Sequence, residues 1–158
     1  MALYAVAIGS NRRGRHGGPQ AEVRAALAAL RPVAVAPLLP SAPLGPSTRR
    51  FVNTAALIDT DEEPPALLAR LKRIERDFGR RAGRRWGARV IDLDIVFWSG
   101  GAFAAPGLCV PHPAFRERGF VLEPLLHIAP HWRDPLTGRT VRQLAHRLRA
   151  VDRRPARA

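Results

Sequence analysis

Asp92 and Asp94 stand one residue apart inside the otherwise apolar run 90–98, and the arginine-rich stretch 79–89 leads directly into it. The run is rich in β-branched and aromatic residues and ends at Gly100-Gly101, so its composition predicts a strand. Residues i and i+2 of a strand share a face, which puts both carboxylates side by side. Two like charges so placed repel unless a cation lies between them. A hard divalent ion fits, because Mg²⁺ is commonly held by one or two carboxylates together with substrate phosphates. Arginine forks upstream suit those phosphates. The acid pair and the arginine loop therefore point to a Mg²⁺–nucleotide site. The alternative is a solvated sheet face, but alternation puts Val96 and Trp98 on the same side as the acids.

Other residues could complete such a site. Phe51 and Asn53 share a strand face by the same rule, and a ring beside an amide suits a flat heteroaromatic ligand. Either could equally be a core ring and a loop-facing amide, and Phe120 has the same two readings. His112 sits between two prolines. Glu75 lies beside a helical apolar stripe, either pointing outward or at the edge of the site. No Ser–His–acid pattern, zinc-type Cys/His spacing or Walker-type glycine loop occurs.

The elements that must position these groups follow from hydrophobic period and turn residues. Strands are expected at 3–8, 33–39, 51–58 and 90–98. A helix opens at Pro19 and carries Val23, Ala26, Leu27 and Leu30 on one face. A second begins within 61–65, with Leu68, Leu71, Ile74 and Phe78 as its stripe. The order β-α-β-β-α-β predicts an α+β, ferredoxin-like antiparallel sheet in the order 4-1-3-2, with both helices on one face. Strand 1 then runs opposite to strands 3 and 4, so the end of strand 1 and the starts of the other two meet at one sheet edge. Loops 12–18, 40–50 and 79–89 emerge there. Beyond strand 4, a turn at 99–101 and a returning strand at 108–110 form a hairpin. A short helix is expected at 114–118, residues 120–128 are helix or extended chain, and Thr140–Gln143 matches a capping box before a last helix. Residues 1–150 read as one domain and 151–158 as a frayed tail.

The chain has 158 residues and a formal net charge of +13, and Lys72 is the one lysine among 26 basic residues. The arginines run from Arg12 to Arg157 without gathering on one expected helix face, so nucleic acid is not the expected partner. The apolar start 2–8 reads as a strand and not a signal peptide, no run is long enough to span a membrane, and Cys109 has no partner for an internal disulfide. A cytoplasmic monomer is the expectation.

Motifs along residues 3–130 carry a resemblance. In order, they are Ala7-Ile8-Gly9-Ser10-Asn11, Pro43-Leu44-Gly45-Pro46, Phe51-Val52-Asn53, the run 85–94, Val110-Pro111-His112-Pro113 and Arg118-Gly119-Phe120. The chain closely resembles the 6-hydroxymethyl-7,8-dihydropterin pyrophosphokinases of folate biosynthesis. The resemblance implies pyrophosphoryl transfer from ATP to the pterin hydroxymethyl group, with release of AMP. It implies two Mg²⁺ ions on Asp92 and Asp94, phosphate contacts from Arg80, Arg85 and Arg89, and ATP contacts from His112 and Arg118. Trp86 would belong to a lid. Phe51 and Phe120 would sandwich the pterin, and Asn53 with Ser41, Pro43 and Leu44 would read its edge. The expected partners are the two small substrates, with no second folate-pathway domain fused. The chain departs from the family pattern at Ser41, Lys72, Ala88 and Gly107, and its arginine loop is about one residue short. A divergent paralogue that binds pterin or nucleotide with weak or different activity is the first alternative. A basic RNA-binding ferredoxin-like module is the second, although it lacks the aromatic segments such sheets use.

Overall fold

The computed structural model describes residues 1–41, 50–79 and 90–154. Its main sheet joins β1 (Ala2–Ser10), β2 (Ala34–Val35), β3 (Leu39–Ser41), β4 (Phe51–Thr60) and β5 (Asp92–Trp98). The order is β2-β4-β1-β5, with β3 also paired to β4, and every pairing is antiparallel. This is the expected ferredoxin-like order, with the second strand divided. Residues 33–39 do not form one strand. Pro37 cannot donate to a ladder, and the chain pairs with β4 on either side of it.

Alternation in β1 sorts side chains to two faces. Tyr4, Val6 and Ile8 meet Ile58, Leu93 and Ile95 beneath α1 (Pro19–Leu30) and α2 (Pro64–Asp77). α2 turns Leu67 and Leu71 fully into this core and is followed there by Phe78, with Leu68 and Ile74 at its margin, so the stripe is rotated from the expected one. Glu75 is buried rather than pointing outward.

The other face carries small residues, Ala5, Ala7 and Ala55. It is covered by α3 (Gly119–Ile128) and α4 (Val141–Asp152). Residues 120–128 are thus helical despite Pro124, which is the interior proline that makes the sequence ambiguous. The expected capping box forms, with Gln143 N–H donating to Thr140 Oγ1 at 3.1 Å and Thr140 N–H donating to Gln143 Oε1 at 2.9 Å.

Beyond β5, the strand at 108–110 forms but does not return along β5. β7 (Leu108–Val110) pairs with β6 (Phe103–Ala105) as a separate ribbon, because Gly101 and Gly107, both with positive φ, each turn the chain. The helix expected at 114–118 is a 3₁₀ turn, Phe115–Glu117.

One irregularity changes which side chains face the site. The β1–β5 register shifts by a β-bulge that leaves Val96 unpaired between Ile95 and Phe97. Val96 and Phe97 therefore both enter the α3–α4 core, while Trp98 packs toward α1 and α2. Alternation had put Trp98 beside the acids; the extra residue reverses it. Phe97 meets Phe115 edge-on at 4.9 Å and stacks on Trp132 at 5.4 Å. Full burial of such a ring contributes about 2–3 kcal/mol to this core.

Candidate active site

The predicted convergence is present. β1 register pairs Gly9 with Asn53 on one side and with Asp92 on the other, and pairs Ala7 with Asp94. Two strand spacings separate the Asn53 and Asp92 backbones, roughly 10 Å. Ala7 and Gly9 leave the floor between them low. Ser10 Oγ donates to the Val90 carbonyl at 2.6 Å and ties the end of β1 to the chain entering β5.

Above this floor lies a cavity of about 170 Å³. Phe51, Asn53 and Ser41 form one wall, Asp92 and Asp94 the opposite one, and Arg118, Phe120 and Val121 the roof. Asn53 is nearly buried, and its Nδ2 donates to Ser41 Oγ at 2.5 Å. That bond fixes the amide plane. Arg118 lies over the Phe120 ring at 5.6 Å, at the start of α3, where the helix dipole also favours an anion.

A second cavity of about 350 Å³ opens at the β5 edge, between α2 and the β6–β7 ribbon. Leu68, Ile95, Leu108 and Pro113 supply apolar wall, and Lys72, Asp94, His112 and the free thiol of Cys109 are its charged or ionisable groups. Asp94 therefore lines both cavities. His112 is fixed through its backbone, whose N–H donates to the Val96 carbonyl at 3.1 Å. Its Nδ1 accepts from Ala114 N–H at 3.1 Å, which leaves the neutral ring's proton on Nε2. Burial holds its pKa below the ordinary 6.5; nearby Asp94 opposes that and Arg118 adds to it.

Of the sequence candidates, Ser41, Phe51, Asn53, Asp92, Asp94, His112, Arg118 and Phe120 are brought together. Pro43, Leu44, Arg80, Arg85, Trp86 and Arg89 lie outside the described residues. The sequence reading passed over the floor residues Ala7 and Gly9 as site residues, and the wall residues Leu68, Leu108 and Cys109. The alternation of small residues in β1 was the available signal. The acids and aromatics lie here and not in the larger concavity of about 930 Å³ between α3 and α4, which holds no carboxylate among its lining residues.

The donor set suits Mg²⁺: two carboxylates on one strand face, hard oxygen ligands, with space beside them for phosphates. Among the described residues no helix is long and apolar enough to cross a membrane.

Fold and cavities together define a ferredoxin-like α+β domain whose sheet edge presents an acid pair, one member of which lines two adjoining cavities. The chain matches the family model for 7,8-dihydro-6-hydroxymethylpterin-pyrophosphokinase over residues 5–130, and it belongs to that family. It is 43% identical over 137 residues to the 2-amino-4-hydroxy-6-hydroxymethyldihydropteridine pyrophosphokinase of Pseudomonas aeruginosa, covering 82% of each chain. The protein of that name from Synechocystis is 40% identical over 100 residues, which is 63% of this chain but only 51% of the relative. This chain thus spans about half of that relative's length. A solved HPPK-DHPS structure in complex with substrates superimposes with a TM-score of 0.74 at 12% identity, covering 92% of this chain and 44% of that one. At that identity the likeness is one of fold.

Proposed function

We propose that this protein transfers the terminal pyrophosphoryl group of ATP to the hydroxymethyl group of 6-hydroxymethyl-7,8-dihydropterin and releases AMP. The observation that carries this reading is Asp94, a single carboxylate on the wall of two adjoining cavities. One cavity has the ring-and-amide lining a pterin needs, and the other has apolar walls with Lys72 as its cation, which suit a nucleotide. Family membership gives the pair its chemistry.

In the reaction the pterin hydroxyl oxygen bonds to the β-phosphorus of ATP. The bond from that phosphorus to the oxygen bridging it to the α-phosphate breaks, and AMP leaves. Phe51 and Phe120 hold the ring by its faces while Asn53, oriented by Ser41, reads its edge. Asp94 is placed to take the hydroxyl proton. Arg118, and Arg80, Arg85 and Arg89 of the arginine loop, carry phosphate charge, and His112 presents Nε2–H to the nucleotide. Asp92 and Asp94 would hold two Mg²⁺ ions, which when bound neutralise the charge of the polyphosphate. Transfers of this type depend mainly on alignment and charge neutralisation, so this inventory is sufficient.

Gly107 lines the nucleotide cavity without a side chain, and this favours a second reading, a paralogue that binds the same ligands but turns over slowly. Incubation with ATP, Mg²⁺ and the authentic pterin separates the two. AMP formation at a rate dependent on the pterin supports the transferase. Tight pterin binding without AMP supports the paralogue, and failure to bind either ligand overturns both.

A further inference from the structure

Lys72 is the single lysine among the chain's 26 basic residues, and it stands on the wall of the second cavity. It lies one turn of α2 after Leu68, which lines the same void, while Leu67 and Leu71 enter the core. All 13 acidic residues of the chain are among those described, and none of them, Asp94 on the same cavity wall included, forms an ion pair with Lys72. A partly buried ammonium without a carboxylate partner keeps its charge for a ligand.

The rest of the wall leaves that charge unrivalled. His112 offers an Nε2–H donor, and Lys72 is the one fixed cation among the described lining residues. Gly107 has no side chain, and a Cβ built on it would meet nothing within 4 Å, so the ribbon side of the cavity stays open to a bound molecule.

Asp94 decides which part of a nucleotide meets the ammonium. It lines both cavities, so the phosphorus being transferred lies at their junction. The pterin oxygen approaches from the first cavity. In-line displacement puts the departing oxygen on the far side of that phosphorus, in the second cavity. The α-phosphate therefore falls in the cavity that holds Lys72. As the bond from the β-phosphorus to the bridging oxygen breaks, its electron pair stays on that oxygen and AMP gains one negative charge. A cation beside it interacts more strongly with the transition state than with bound ATP.

Resting on the pyrophosphoryl-transfer reading above, we propose that Lys72 Nζ binds the α-phosphate of the nucleotide and stabilises the charge left on AMP as it departs.

Because the chain has one lysine, acetylation by an N-hydroxysuccinimide ester can be followed at Lys72 by mass spectrometry, with the Met1 amine as internal reference. In the parent, saturating AMP should slow acetylation of Lys72 at least about 10-fold, whereas adenosine should slow it no more than about 2-fold. Met1 should react equally in all three samples. Lys72→Gln, a substitution a helix accepts, should weaken AMP binding at least about 10-fold without changing that of adenosine. It should also lower the single-turnover rate of AMP formation at least about 10-fold, and Lys72→Arg should restore most of that rate. Melting curves establish that both variants are folded. Protection by adenosine equal to that by AMP would put Lys72 beside the nucleoside and overturn the inference. So would an unprotected Lys72, or a Lys72→Gln variant that keeps the parental rate or the parental AMP affinity. A parent whose Lys72 is protected by AMP but which makes no AMP from ATP and pterin would uphold the contact and overturn the transfer reading instead.

Discussion

Gly9 and Asn53 are direct neighbours across β1 and β4, and a Cβ built on Gly9 would lie 2.8 Å from Asn53 Oδ1. The missing side chain at Gly9 is thus what allows the Asn53 amide to approach β1 this closely while it donates to Ser41. Gly9→Ala should push that amide aside while leaving the strand paired. The expected result is a pterin KM raised about 10-fold, the scale of one buried hydrogen bond, with little change in KM for ATP. Steady-state kinetics in each substrate would show it, and an equal rise in both would contradict the assignment of the cavities.

Asp92→Ala and Asp94→Ala should each leave the melting temperature near that of the parent and lower turnover by about 10³-fold or more, since each removes an oxygen ligand from the proposed cation site. AMP release measured at saturating Mg²⁺ decides the point. A variant with near-parental rate would refute the metal assignment.

His112 should titrate below 6.5, because burial disfavours its charged form. Asp94→Ala removes the neighbour that raises its pKa, so the titration should move lower still. Arg118→Ala removes one that lowers it, so the titration should move up. An NMR titration of the imidazole Cε1–H across the three proteins reads both directions. An unchanged titration in both variants would place His112 away from these two groups.

The 3₁₀ turn that delivers Arg118 is anchored by Asp134. This buried carboxylate accepts from Arg116 Nε at 2.6 Å, from a second guanidinium nitrogen at 2.8 Å, from Thr137 Oγ1 at 2.7 Å and from Leu136 N–H at 3.0 Å. Burial alone would raise its pKa, but these donors lower it from 3.8 to about 2. A carboxyl depressed in the fold stabilises fully above its unfolded value and loses that contribution as pH falls toward 2. Asp134→Ala should cost about 3 kcal/mol at neutral pH and flatten the loss of stability between pH 4 and about 2. Urea midpoints of parent and variant across that range test both statements.

The parts legible in the sequence were those governed by short-range period and by topology. Spacing put Asp92 with Asp94 and Phe51 with Asn53, and antiparallel strand order brought those pairs to one edge. What escaped depended on three-dimensional packing. Trp98 was assigned the wrong face because an unpaired Val96 leaves no mark on a run of apolar residues. Leu67 replaced Leu68 in the core because rotation of a helix is set by what it packs against. The second cavity could not be foreseen, since it forms between α2 and a ribbon whose pairing was itself misjudged.

Val96 has a further effect. Being surplus to the ladder, its carbonyl is available to receive His112 N–H. A strand shortened by that one position would regain perfect alternation, with acids and Phe97 still on one side. It would also cast His112 adrift, since its mooring would have vanished. Tidying this sheet would therefore cost the protein its hold on the imidazole that lines the second cavity, and the flaw in the strand serves as a dock.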